Sequence, residues 1–365
     1  MPVPATTCAS CVLDGILYVM GGHDDKPSTH ALTNVWAYDP QTDFWTNRAP
    51  LSTARHFVGQ SAAAVDGIIY LVGGTGAGMP GTLLLPVAAY NPRTDTWTNG
   101  APMPTGRASL AACAVDGIIY AIGGALNTTT QTAAVEAYDP KSNHWTSKRS
   151  MPQARWFPTA SVVNGLIYVF HGTDVFAYDP KTDSWTTKTN HFSPYSWGLM
   201  SAEVEGTIYL LGGFTQDWSD GNDFALAYDP SLGQFSALRK MPRKRATAAC
   251  GAIGGKIYLA AGASKEPLVN TNAVFYKILD VFDPHRVTPK VLSGSLESSN
   301  SFRMVWQAET GMRYGIVSSP DVTGTWTRMP LPTGTTVTAT NELVETTCAV
   351  PSGEAMRFFR VLEAN

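Results

Sequence analysis

Long apolar runs are missing from this chain of 365 residues; none approaches the roughly 20 residues that a membrane-spanning helix requires. Its opening, Met1-Pro2-Val3-Pro4-Ala5-Thr6-Thr7, has neither the basic start nor the apolar stretch of a signal peptide. A basic excess is missing as well. The 26 Lys+Arg stand against 29 Asp+Glu, a net charge of −3, which argues against a general binder of nucleic acid or of membrane surfaces. Cysteine is sparse and odd in number, at Cys8, Cys11, Cys113, Cys250 and Cys348. The Cys8-x-x-Cys11 pair has no second CxxC or His pair to complete a metal site. On a strand its two members point to opposite faces, so both read as structural. No nucleophile elbow, phosphate loop or metal box occurs, and neither a metal nor another cofactor is expected.

What the chain does have is glycine (33), proline (24) and aromatics (10%), with only 15% charged residues. Many short strands joined by tight turns produce that mixture. It also repeats itself. Gly15-Ile16-Leu17-Tyr18-Val19-Met20-Gly21-Gly22 is nearly copied at 67–74 and 117–124, and more weakly before Gly172, Gly213 and Gly262. A second signature keeps the same beat: Tyr38-Asp39-Pro40 with Trp45, then Tyr90 with Trp97, Tyr138 with Trp145, Tyr178 with Trp185, Tyr228 with Phe235, and Phe282-Asp283-Pro284. A third is Met-Pro followed by arginine, as in Met103-Pro104 with Arg107, Met151-Pro152 with Arg155 and Met241-Pro242 with Arg245.

Double glycine, tyrosine and tryptophan in register six times resemble the Kelch family, whose repeat is about 50 residues. The resemblance covers residues 1 to about 285 and implies an all-β, six-bladed β-propeller of four antiparallel strands per blade. Local chemistry agrees. Asp-Gly or Asn-Gly joins the first two strands as a favoured hairpin turn, Gly-Gly permits a bend without Cβ clashes, and Asp-Pro closes the third strand. The tyrosines and tryptophans read as packing between sheets. Cys11, Ala63, Cys113, Ser161, Ala202 and Gly251 share one innermost position, where small size is expected against the axis.

The beat falters in blade four, where Thr173-Asp174 alone separates two strands, and stops in blade six, which lacks a tryptophan-bearing fourth strand. Either a strand upstream of Met1, lost with a leader, or Val287 to Leu292 supplies that edge. The propeller is expected to span residues 1–290. Residues 291–365 carry short alternating segments such as Phe302-Arg303-Met304-Val305-Trp306 and Arg357-Phe358-Phe359-Arg360-Val361, which suggest a small β-sandwich. This part is similar to the immunoglobulin- or fibronectin-like domains that end many secreted bacterial proteins. The similarity favours a secreted or periplasmic home over a cytoplasmic one.

Strand alternation sorts the connections onto two faces. The Asp-Gly and Asp-Pro turns share one, short and uniform. The other carries long, dissimilar loops, where function on a repeated scaffold usually sits. On it, the repeats align Arg55, Arg107, Arg155 and Arg245 in one ring completed by Ser196 and Ala5, with aromatics following at His56-Phe57, Trp156-Phe157 and Trp197. In Kelch domains this ring lines the channel mouth. Converging guanidiniums suit a carboxylate, phosphate or acidic peptide, and the aromatic faces suit a sugar. The equal-weight alternative is that each arginine braces its own blade through loop carbonyls.

Three readings of function follow. The first is a binding module for a small anionic or carbohydrate ligand at Arg55, His56, Arg107, Arg155, Trp156, Ser196, Trp197 and Arg245. The second is an enzyme acting on a sugar acid, lactone or polysaccharide, since the resemblance extends to propellers that epimerise, hydrolyse or cleave such compounds. An arginine would then steady an oxyanion while His23, Asp24, His191, Tyr195 or Asp217 moved a proton. Turn chemistry is the commoner role of such loop carboxylates. The third is a scaffold that binds a protein partner, expected to show a broad surface instead of a closed pocket. The run Arg239-Lys240-Met241-Pro242-Arg243-Lys244-Arg245 reads mainly as a solvated turn.

Overall fold

A computed structural model describes residues 1–24, 31–76, 82–189, 196–217, 219–264 and 276–284, and beyond 284 the backbone of the strands alone. The chain divides into two compact units, Met1–Pro284 and His285–Asn365. The first is an all-β, six-bladed propeller. Blade one contains β1 (Ala9–Leu13), β2 (Ile16–Met20), β3 (Val35–Asp39) and β4 (Phe44–Arg48), hydrogen-bonded in chain order. Four more sheets repeat that order, starting at Ala62, Ala111, Thr159 and Met200, and blade six has Ala249–Ile253, Lys256–Ala260 and Asp280–Phe282. Each innermost strand packs beside those of its two neighbours, the sixth beside the first. Among the described residues no helix is long and apolar enough to cross a membrane.

The turns form for the reasons their residues give. Asp14 and Gly15 both take positive φ, 51° and 74°, the backbone of a two-residue hairpin that joins Leu13 to its partner Ile16. Outer turns are held by their own carboxylates: Asp39 Oδ1 accepts from Gln41 N at 2.8 Å, and Tyr38 donates to Asp43 at 2.7 Å. Tyrosines also pair from blade to blade, Tyr18 with Tyr90, Tyr70 with Tyr138 and Tyr120 with Tyr178, at ring separations near 6 Å. The pair Tyr258–Tyr38, at 5.9 Å, joins blade six to blade one. Indoles tie neighbouring blades as well, Trp97 Nε1 donating to Ala49 O at 2.8 Å and Trp145 Nε1 to Ala101 O at 3.0 Å.

The double glycine is the joint between blades. A Cβ on Gly22 would run into Cys8 Sγ and the Thr6 carbonyl, so only glycine lets the chain pass there. Its N–H donates to the Arg55 carbonyl at 2.8 Å, and Gly74, Gly124 and Gly213 donate likewise to Arg107, Arg155 and Arg245 at 2.8–2.9 Å. Between blades six and one the same bond runs from Gly262 N to Ala5 O at 2.8 Å. Met1 donates its amine to Lys277 O at 2.8 Å, the counterpart of Leu51 N to Thr33 O. Met1-Pro2-Val3-Pro4-Ala5 is therefore the sixth copy of Met-Pro-x-x-Arg, with alanine at the arginine position.

Blade six keeps three strands among the described residues. Of the segment expected to supply a fourth, Val287 to Leu292, residues 287–289 lie outside the described residues, and Lys290–Ser298 pairs with Ser301–Gln307 within the second unit, Val291 opposite Trp306. Within that unit, Leu343–Ala349 continues the sheet, and Arg313–Ser319 pairs separately with Thr327–Arg328, Val337–Thr338 and Phe358–Glu363.

Candidate functional site

The ring positions are joints by their backbone and braces by their side chains. Arg107 is 0% exposed. Its Nη1 donates to the carbonyls of Gly123 and Ala134 at 2.9 and 2.8 Å, Nη2 to Glu136 Oε2 at 2.7 Å, and Nε to Thr105 O at 3.1 Å. Arg245 repeats this, with Leu259 and Ala261 carbonyls at 2.9 Å and Asp280 Oδ2 at 2.5 Å. Arg55 reaches Gly73 O at 2.9 Å with no carboxylate partner among the described residues, and burial pushes its pKa down to about 10. Arg155 is more open and pairs with Asp174 and Gln153.

The two ring positions without arginine use other means. Ser196 Oγ donates to Gly212 O at 2.9 Å, the carbonyl equivalent to those of Gly73 and Gly123. At Ala5 the space belongs to one apolar cluster with Trp36. The third-strand residue opposite each ring position follows suit: Trp36, Ala88, Glu136, Phe176, Leu226 and Asp280. Glu136 and Asp280 accompany the two fully buried arginines. Bracing accounts for the contacts of Arg55, Arg107 and Arg245, whose guanidiniums face into the blades and away from the mouth where a ligand was expected to meet them.

Gln60 occupies the axis instead. From ring residue to innermost small residue the chain takes six steps in five blades, as from Arg107 to Cys113, but eight from Arg55 to Ala63. The two extra residues are Gly59, with φ 55°, and Gln60. Gln60 Nε2 donates to Ser201 O at 3.0 Å, while its Oε1 accepts from Ser201 Oγ at 3.2 Å and from Thr159. Ser201 belongs to blade five, across the ring from blade two, so Gln60 is a strut over the channel. Beneath it lies a chamber of about 330 Å³ walled by the innermost strands, with Ser10, Cys11, Cys113, Ser161, Glu203 and Cys250 among its lining. The axis is thus less crowded than the small residues implied. Crowding at Gly251 comes from the neighbouring blade, where an added Cβ would run into Val12.

Above the strut the mouth is floored. Thr7, Phe57, Ser109, Phe157, Gly198 and Thr247 all have φ between 49° and 57°. Their backbones form a belt, Ser109 N to Phe57 O at 2.7 Å, Phe157 N to Ser109 O at 3.0 Å, Thr247 N to Gly198 O at 3.0 Å and Thr7 N to Thr247 O at 3.1 Å. Phe57 and Phe157 meet edge to face at 6.4 Å, and Trp156 stacks on Phe157 at 6.3 Å. All three are half-buried, as is Trp197.

The acid–base candidates are built into packing or turns. His23 and His56 are buried, with rings 5.9 Å apart. His23 shares a hydrogen bond with Thr7 Oγ1 at 3.1 Å, and burial pushes its pKa down to about 4; His56 is lowered for the same reason. His171 is edge-on to Trp197 at 4.7 Å and lowered to about 3 by burial and by Arg155. Asp24 is buried. Asp217 accepts from Thr215 and Ser219 within its own loop, which holds its carboxyl near 2. His191 and Tyr195 lie outside the described residues. The basic run is largely matched, Lys240 with Asp223 at 3.0 Å, Lys244 with Asp220, and Arg243 with Asp280 at 2.8 Å. Among the described residues no three His, Cys, Asp or Glu could hold a metal. Cys8, Cys11, Cys113 and Cys250 are free, buried thiols pushed up to about 12.

Residues 1–172 and 59–262 match the KLHDC2/KLHL20/DRC7 Kelch-repeats domain. The chain is 32% identical over 116 residues to Kelch repeat and BTB domain-containing protein 12 of Danio rerio, covering 28% of this chain and 18% of that protein. It is 30% identical over 117 residues to Kelch-like protein 25 of Xenopus tropicalis, covering 30% and 19%. It is 38% identical over 78 residues to Kelch-like ECH-associated protein 1A of Danio rerio, covering 21% and 13%. In each case the chain spans less than a fifth of the relative's length.

Proposed function

This chain belongs to the Kelch-repeat family, and from that premise we propose that its propeller is a protein-interaction domain that docks a partner on the loop face. The observation that carries the reading is the floor of the mouth. Gln60 shuts the channel and Phe57, Trp156 and Phe157 lie over it, so this face offers a broad aromatic saddle in place of a shaft. Half-buried aromatic side chains held on a rigid belt are the usual anchors of a protein interface. A small anion would need converging guanidinium donors, and those of Arg55, Arg107 and Arg245 are engaged within the blades. One relative is, by its name, ECH-associated, which agrees with a propeller that holds another protein.

The test is quantitative. Partners captured by wild type are purified, and each is titrated against wild type, Trp156→Ala and Phe57→Ala. At least tenfold weakening in both variants, with unchanged thermal unfolding, is expected. Undiminished affinity in both removes the loop face as the docking surface. A sugar acid or acidic oligosaccharide that stabilises the protein and competes with the partner would restore the small-ligand reading.

A further inference from the structure

The opposite face has a different chemistry. Its inner hairpin turns bring Asp14, Asp66, Asp116 and Glu205 around the axis, all exposed, with Glu203 in the chamber wall. Its outer turns add further carboxylates, among them Asp95 and Asp183, which hydrogen bonds from Tyr90 and Tyr178 keep below the ordinary range. Among the described residues Arg93, Lys141, Lys181 and Lys256 lie in those turns or the strand starts beside them, and Arg48, Lys148 and Arg149 reach Asp95 and Asp183 from the neighbouring blades, so the carboxylates still outnumber the cations on this face. The chamber belongs to the same face. Gln60 closes it toward the loops, and its wall runs to Val12, Ala114 and Glu203, two residues short of the inner turns. Large apolar groups stand exposed at the outer turns, Phe44 in blade one at 64% and Leu232 in blade five at 67%.

We propose that this hairpin face is a second docking surface, for a lysine- or arginine-rich segment of a partner protein, one of whose basic side chains enters the axial chamber past Glu203. Charge complementarity selects the class, because a face so dominated by carboxylates repels acidic peptides and nucleic acid. The exposed Phe44 and Leu232 favour a polypeptide over a free cation, which has no use for apolar anchors. The hydroxyls of Ser10, Ser161 and Ser201 and the Gln60 amide line the chamber beyond Glu203, so a basic side chain that enters past that carboxylate meets further oxygen acceptors for its head. This surface is independent of the loop-face reading.

The probe is a fluorescent nine-residue peptide of alternating lysine and glycine, followed by anisotropy at two salt concentrations. Asp14→Asn/Asp66→Asn/Glu203→Gln removes three charges from the hairpin face, and asparagine tolerates the left-handed turn position. Asp217→Asn/Asp220→Asn/Asp223→Asn removes three charges from the loop face as the control. Expected are a Kd that weakens with salt, a further loss of at least tenfold in the hairpin variant, and a change within twofold in the control. Equal weakening in both variants would mean attraction to overall charge alone and would overturn the proposal, as would no binding by wild type. Trp156→Ala leaves the peptide bound, so failure of the loop-face reading shows separately.

Discussion

Replacing Glu136 by leucine leaves the Arg107 guanidinium, 0% exposed, without the carboxylate that lies 2.7 Å from its Nη2. An uncompensated buried charge of this kind costs roughly 3–5 kcal/mol. Arg107→Ser strands the buried carboxylate in turn, at a similar cost. The double change Arg107→Ser/Glu136→Leu installs the pair that blade five already carries, Ser196 with Leu226, in which the hydroxyl donates to Gly212 O at 2.9 Å. It removes both charges and sacrifices guanidinium bonds to carbonyls, each worth about 1 kcal/mol net, so about 2 kcal/mol is expected. The two single losses therefore exceed the double by several kcal/mol, far above the roughly 0.5 kcal/mol that separates independent sites. Urea unfolding at neutral pH measures all four corners of the cycle. Near-additive values would refute the bracing account. So would single variants of unchanged stability that lose a bound ligand, since Arg107 would then serve recognition.

Gln60→Ala removes the strut and is expected to cost about 1–2 kcal/mol; a crystal structure of the variant should show water running continuously from the loop mouth into the chamber. Gly251→Ala should cost about 1–3 kcal/mol by driving a methyl group into Val12, read from the same urea unfolding. His23, lowered to about 4 in the fold, is stabilised in its neutral form, so its contribution is complete above the unfolded value near 6.5 and drains away as the pH falls toward 4. That window holds roughly 3 kcal/mol, and His23→Asn should flatten the stability–pH curve across it. Cys8, 1% exposed and outside the chamber lining, with its thiol pushed up to about 12, should react with a disulfide-exchange reagent only on unfolding; rapid labelling of Cys8 in the native protein, read by peptide mapping, would contradict its burial.

Repetition made the architecture legible. A hairpin signal such as Asp14-Gly15 is ambiguous once, but the same turn before each Ile-Tyr strand fixes strand order, turn type and the packing role of Tyr38 and Trp45 together. The direction of the ring arginines was not legible from their own positions, because a long side chain beside a loop reaches either the mouth or the blade behind it. The deciding signal sat some thirty residues later. Glu136 and Asp280 stand in third strands where the other blades place Trp36, Ala88, Phe176 and Leu226, and an acid among apolar counterparts demands a buried cation. The strut was legible too, as eight residues where every other blade has six, but only to a count made between motifs and not within them.

The ring and its neighbours divide the work of the loop face. At the ring position the carbonyl receives the preceding blade's glycine and the side chain closes the following blade, so architecture already constrains both ends of the residue. That explains why arginine recurs at this position in Arg55, Arg107 and Arg245. Two residues on, the belt keeps one backbone shape, φ near 50° in every blade, and places no such demand on the side chain. There the sequence varies freely among Thr7, Phe57, Ser109, Phe157, Gly198 and Thr247. A fixed backbone bearing unlike side chains is what a repeated scaffold needs in order to recognise one partner and refuse another. On the docking reading proposed above, specificity on this face falls to Phe57, Phe157 and their neighbour Trp156, on and beside the belt.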